Sequence, residues 1–278
     1  MLVRVGSRGS RLALARAERA AGALRRPGVQ IALVPISTAG DLDRTLPAER
    51  TGDRGVFVRE LEEALLAGRI DLAVHSVKDL TATDAAGLAV GAYPPRHDHR
   101  DALCGVSELR RGLRIGTASR LRRAQLLALE PELSIEPLRG TVDARLRKRG
   151  ERGLDAVVLA SCDLDLLGLA HEIGRRFEPE ELLPAAGQGA LVLQVRAGEE
   201  GLVAGADDRE TRRRVEAELR CAALVAAGVP APVGAYHDGD VLTALVADPD
   251  GRWIRRARGS DPETVAGELV ASARESAP

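Results

Sequence analysis

Short apolar runs alternate with helical patterns over most of this chain, and that alternation limits the fold more than any other feature. Runs at 2–5, 30–36, 70–75, 88–92, 113–116, 134–138, 156–160 and 191–195 read as strands. They are apolar on successive residues, which predicts burial on both faces, as in parallel sheets. Between them, 10–25, 56–67, 120–129 and 142–149 carry helical spacing. In the first, Leu12, Ala13, Ala15, Ala17, Ala20 and Leu24 form an apolar stripe. Strands and helices in alternation mean an α/β fold. After Arg196 the pattern changes to one long helix at 209–227, a break at 228–232, three short strands near 233–236, 241–246 and 253–257, and a last helix at 262–273. This tail reads as a small α+β domain. The stretch from Pro94 to Arg100 suits a crossover between two α/β lobes, and polar, poorly patterned 38–54 suits a mobile loop or lid. There is no internal repeat or low-complexity tail.

Composition excludes several functions. The 278 residues carry 40 basic and 41 acidic side chains, for a net charge of -1. That near-neutrality argues against an electrostatic nucleic-acid binder, and 2% aromatics leave little for base stacking. No apolar run approaches the ~18 residues of a membrane span. The N-terminal MLVRVGSRGSRLAL lacks the order of a signal peptide. Three well-separated cysteines, Cys104, Cys162 and Cys221, fit a reducing compartment rather than a disulfide scaffold or structural zinc. The expectation is a cytoplasmic protein that needs no metal.

Three turns join a strand to Gly, Ser or Thr and then Arg: Val5-Gly6-Ser7-Arg8-Gly9-Ser10, Ile115-Gly116-Thr117-Ala118-Ser119-Arg120 followed by Arg122 and Arg123, and Leu138-Arg139-Gly140-Thr141 followed by Arg145. Helix N-termini favour anions, hydroxyls donate to carboxylates, and Arg grips them bidentately. Any one such turn is explained by N-capping and solvated Arg. Three together point to a ligand with several carboxylates. A second feature is the run from Asp71 to Leu80, where an apolar strand ends in His75-Ser76-Val77-Lys78-Asp79. Only two of the 40 basic residues, Lys78 and Lys148, are lysines. An ammonium that can give up a proton is something Arg cannot replace, and Asp79 beside it could act as acid or base. The plain alternative is a helix start with Asp in its first turn. His97-Asp98-His99 sits in a Pro-rich connector, which favours solvation over metal binding. Leu183-Pro184-Ala185-Ala186-Gly187-Gln188-Gly189-Ala190 is a small-residue turn suited to a hinge or a close backbone approach.

Taken together, these segments resemble the porphobilinogen deaminase (hydroxymethylbilane synthase) family. The matching stretches are VGSRGSRLALARAE (5–18), GDRGVFVRELEEALLAGRIDLAVHSVKDL (52–80), RDAL (100–103), GTASRLRRAQ (116–125), PLRGTVDARL (137–146), LPAAGQGAL (183–191) and PVGAY (232–236). The resemblance implies two lobes like periplasmic binding proteins, 1–94 with 190–206 and 95–189, joined by a double crossover, and a small domain at 207–278. It also implies an enzyme of tetrapyrrole biosynthesis, expected to be monomeric. Such an enzyme joins porphobilinogen units with loss of ammonia on a dipyrromethane cofactor held by a cysteine. Asp79 then resembles the catalytic aspartate, with Lys78 beside it. Arg8, Ser10, Ser76, Thr117, Ser119, Arg122, Arg139, Arg145 and Gln188 fall on substrate- or cofactor-binding positions. Arg54, Phe57 and Arg59 belong to the lid and its edge, where Arg54 and Arg59 stand for lysines.

The departures concern the grip on a polycarboxylate. Val229 takes the place of the cofactor-bearing cysteine and cannot form a thioether, while Cys221 reads as core. Leu121 replaces the first of two paired arginines, which a one-residue shift to Arg122 and Arg123 could offset. Asp165-Leu166 replaces a basic pair. Two enzyme readings follow. One is a synthase with an altered primer. The other is a paralogue passing a single pyrrolylmethyl unit to another acceptor. A non-catalytic binding protein for pyrrole carboxylates is the reading from another class.

Overall fold

The computed structural model describes residues 1–38, 58–80 and 85–276. The chain divides into two compact units, Met1–His97 with Ala190–Arg212, and Asp98–Gly189 with Arg213–Pro278.

In the first unit, strands β1 (Leu2–Arg8), β2 (Gln30–Ile36), β3 (Leu72–Ser76), β4 (Leu88–Ala92) and the returning β10 (Leu191–Arg196) form a sheet in the order β2-β1-β3-β10-β4. β1 runs parallel to β2 and β3, whereas β10 runs antiparallel to β3 and β4. The sheet is therefore mixed, not the parallel one expected. Edge strand β2 is nowhere fully buried, because one side of its ladder has no partner strand. Helix α1 (Arg11–Gly22) buries Ala17, Ala20 and Ala21 on Val3, Val5 and Leu193 of one sheet face. Helix α2 (Arg59–Leu66) places Leu61, Ala64 and Leu65 with Ile70, Ala73 and Leu88 in a separate cluster. Small residues let α1 lie close to the strands. At Gly6 a Cβ would overlap the end of the Ile70 side chain, so a larger residue there would require Ile70 to move.

The second unit has two sheets. Strands β5 (Asp101–Cys104), β6 (Arg114–Gly116), β7 (Ser134–Glu136), β8 (Ala156–Ala160) and β9 (Ile173–Arg176) pair in the order β7-β6-β8-β5-β9. β6 is parallel to β7 and β8, while β5 is antiparallel to β8 and β9. Helices α3 (Arg120–Leu129), α4 (Val142–Glu151) and α5 (Ser161–Leu166) follow the parallel strands. The sequence reading missed β5, β9 and α5. β5 opens on a buried aspartate, β9 is a half-exposed Arg-bearing edge, and α5 is too short to show a period. Helix α6 (Arg209–Gly228) leads to the antiparallel strands β11 (Val233–His237), β12 (Leu242–Ala247) and β13 (Ile254–Gly259), then to helix α7 (Pro262–Ser276). Cys221, Val225, Ala235, Ala244, Val265 and Leu269 make the core of this part.

Glu218 is fully buried on α6 and accepts backbone hydrogen bonds from Gly187 at 2.8 Å and His237 at 2.9 Å. It thus fixes the turn at 185–189 to β11. Gly187 and Gly189 lie at φ +71° and +83°, a conformation that favours glycine.

Candidate functional site

In the first unit the polar turns close two strands. Ser10 caps α1 by accepting from the Ala13 N–H at 3.2 Å, and Arg8 is the last residue of β1. The buried strand β3 ends at Ser76, and a single 3-10 turn, Val77–Asp79, follows. Val77 anchors that turn twice, by burying its side chain and by donating its N–H to Ala190 O at 3.1 Å. Lys78 and Asp79 project from the anchored turn half-buried, and neither side chain forms a hydrogen bond or ion pair with the described residues. Both groups are therefore available to a ligand. Just before them, His75 is buried and pairs with Gln194 Oε1 at 3.1 Å, and Gln194 in turn donates to Glu62 at 3.0 Å. Burial pushes the His75 imidazole down to about 4, against weaker opposing effects of Gln194 and the Asp79 charge. His75 is thus neutral near pH 7. The sequence signalled it only as a polar residue within an apolar strand.

In the second unit, β6, β7 and β8 are parallel, so their carboxyl ends point the same way. Two of these ends carry anion-type turns. After β6, Thr117 is buried and accepts from the Ser119 N–H at 3.2 Å, while Ser119 caps α3 by accepting from the Arg122 N–H at 3.2 Å. After β7, Thr141 caps α4 by accepting from Ala144 at 3.4 Å. Lys148 Nζ donates to the Arg139 carbonyl at 3.0 Å and pins that turn.

Arg122 lies buried at the centre. It donates Nη2 to Asp101 Oδ1 at 2.7 Å, Nε to Asp101 Oδ2 at 3.0 Å and Nη1 to Val158 O at 3.2 Å. Burial opposes its charge, yet Asp101 more than offsets this and raises the guanidinium above its ordinary value. Gln188 is buried against the same pair, donating to His99 O at 2.8 Å and Asp101 Oδ1 at 2.7 Å and accepting from Arg122 at 3.4 Å. Arg122 and Gln188 thus hold a fixed internal network, a role that the Ser/Thr/Arg pattern alone did not indicate. Arg145 differs. Its Nε is buried without a hydrogen-bond partner among the described residues. Burial, then the like charge of Arg122, pushes its guanidinium down to about 10, with Asp163 opposing. A guanidinium in that setting suits an incoming carboxylate.

The departures also find places. Leu121 is 8% exposed and packs α3 onto Ala247 and Leu245 of β12 beside Leu183, so it is a core residue. Arg123, next to Arg122, pairs with Asp250 at 3.1 Å and donates to Ile135 O at 3.2 Å. Asp165 pairs with Arg176 at 2.7 Å, and Arg176 also meets Asp98 at 2.9 Å. Asp98 further pairs with Arg100 at 3.0 Å, and His99 stacks on Tyr236 with ring centroids 4.0 Å apart. Val229 packs against the core formed by α6, α7 and the three-stranded sheet, as Cys221 does. Arg59 is exposed and pairs with Glu63 at 3.1 Å. Arg54, Phe57 and nearly all of 38–54 lie outside the described residues. No helix among the described residues is long and apolar enough to cross a membrane.

Residues 3–204 match the family model "Porphobilinogen deaminase, dipyromethane cofactor binding domain". A porphobilinogen deaminase of Roseiflexus sp. is 42% identical over 275 residues, covering 93% of this chain and 91% of its own. A probable porphobilinogen deaminase of Methanopyrus kandleri is 38% identical, covering 98% of this chain and 97% of its own. One from Acidothermus cellulolyticus is 42% identical over 94% of this chain and 84% of its own. Mixed α/β sheets, strand-end turns rich in Ser, Thr and Arg, and full-length identity near 40% agree: the chain belongs to the porphobilinogen deaminase family.

Proposed function

We propose that this protein is an ammonia-releasing transferase that deaminates porphobilinogen, or a close pyrrole analogue, and couples the resulting azafulvene to a pyrrole acceptor. The observation that carries this reading is the Val77–Asp79 turn, which presents Lys78 and Asp79 half-buried and without a hydrogen bond or ion pair among the described residues. Asp79 accepts the pyrrole N–H and stabilises the cation that grows as the aminomethyl C–N bond breaks. Lys78 lies next to Asp79, where its ammonium pairs with a substrate carboxylate or passes a proton to the departing amine. Arg8, Ser10, Ser76, Thr117, Ser119, Arg139 and Arg145 hold side-chain carboxylates, and Arg122 with Gln188 keeps the local backbone in place.

A dipyrromethane fits this donor set. Its carboxylates would meet the orphaned Nε of Arg145 and the turns capped by Ser119 and Thr141. When bound, it supplies the pyrrole carbon to which the first unit is joined. Position 229 offers it no sulfur, so primer use differs from that of a chain with cysteine there.

The test is turnover. Purified protein with porphobilinogen is expected to release ammonia and to form Ehrlich-positive oligopyrrole. Binding without ammonia release would instead make it a pyrrole-carboxylate binding protein.

A further inference from the structure

We infer, resting on the pyrrole-transfer reading above, that Cys162 is the thiol on which this protein carries its pyrrole primer. Parallel strands β7, β6 and β8 end side by side, and ligands of α/β sheets gather outside such carboxyl ends. Two of the three turns there are the 139–141 and 117–119 turns. The third is Ser161-Cys162, immediately after β8. Cys162 is half-buried, and its Sγ lies 3.5 Å from Asp163 Oδ1. The other two thiols are buried in cores, and burial pushes each up to about 11. They pack as small apolar groups.

A second observation marks the same place as a ligand site. Ser161 is 0% exposed, yet its Oγ has no hydrogen-bond partner among the described residues. The buried Nε of Arg145 is in the same condition, and Arg145 interacts electrostatically with Asp163 beside the thiol. Arg122 interacts with both Cys162 and Asp163. Buried polar groups are nearly always satisfied, so the orphaned hydroxyl of Ser161, next to Cys162 in the chain, and the orphaned Arg145 Nε point to a polar guest. A pyrrole bearing carboxylates, tethered at Cys162, would supply the missing acceptors.

The chemistry balances without an oxidant or reductant. Deamination breaks the C–N bond of the aminomethyl group and leaves an electrophilic exocyclic methylene. The Cys162 sulfur adds to that carbon, and the proton it gives up equals the one that leaves with the amine. Aminomethylpyrrole plus thiol thus yields thioether plus ammonia.

The deciding experiment is intact-mass measurement of the full-length protein, as purified and after porphobilinogen, followed by peptide mapping. The expected result is added mass in units of porphobilinogen less ammonia on the peptide containing Cys162. That adduct should be absent from C162A and retained in C104A and C221A. Mapping of the unmutated protein decides the matter even if a variant folds poorly. An adduct on any other residue, or one that persists in C162A, overturns the inference. Ammonia release with no adduct overturns it and leaves the deaminase reading standing. Neither ammonia nor adduct removes both.

Discussion

The Val77–Asp79 turn of the first unit and the Arg122 network of the second treat their polar side chains in opposite ways. In the first, Lys78 and Asp79 stand on a single anchored turn with no hydrogen bond or ion pair among the described residues. In the second, Arg122 is buried and satisfied on every side by Asp101, Val158 and Gln188. Groups that exchange protons or meet developing charge must be free to change partners. Groups that set the shape of a carboxylate site work best when fixed beforehand. Arg122, a buried charge with its carboxylate partner in place, is held in one arrangement, which the Lys78-Asp79 turn does not require of its side chains.

Four changes would break or sharpen that contrast. The largest effect is expected from Asp79→Asn, which should lower kcat by about 10²–10⁴-fold. It should leave stability within about 0.5 kcal/mol, because the carboxylate makes no hydrogen bond among the described residues. Steady-state kinetics beside urea melts would show it, and undiminished activity would remove Asp79 from the reaction. Next comes Asp101→Ala, which strips Arg122 of its carboxylate and should cost about 3–5 kcal/mol in denaturant unfolding. A loss under about 1 kcal/mol would mean that the network is not fixed.

The third test is pH. The folded His75 imidazole lies near 4, below its ordinary 6.5, so the unfolded chain takes up the proton first as pH falls. Its contribution is complete above pH 6.5, declines between 6.5 and 4, and is flat below, about 3 kcal/mol at most. His75→Gln should flatten that part of the stability–pH curve. The smallest effect is expected from Arg123→Ala. Its pair with Asp250 is exposed, so thermal melts should shift by no more than about 1 kcal/mol in stability.

Legibility of the molecule in its sequence follows the same division. Strands such as Gln30–Ile36, Leu88–Ala92 and Ala156–Ala160 were readable to the residue, because their apolar runs end at Pro, Gly or polar turns. The antiparallel return of Leu191–Arg196 was not readable, since an apolar run does not state its direction. The Lys78-Asp79 turn stood out through residue choice, in a chain that otherwise uses Arg. Leu121 and Arg122 were harder. Leu121, in the place of a clamp arginine, packs in a core, and Arg122, read as a binding residue, also forms an internal ion pair with Asp101. Successive residues on a helix point about 100° apart, and only the tertiary partners Leu245 and Asp101 reveal which direction each takes. Glu218 was invisible for a related reason, because its partners are backbone N–H groups.

That glutamate has a consequence for motion. The amides of Gly187 and His237 are far apart in sequence but donate to the two oxygens of one carboxylate, Oε2 and Oε1 of Glu218. Neither can swap its hydrogen for deuterium until the carboxylate lets go, so their exchange rates are coupled and slow together. The chain's return out of this unit and the first strand of its C-terminal sheet would therefore breathe as one piece, paced by a single side chain.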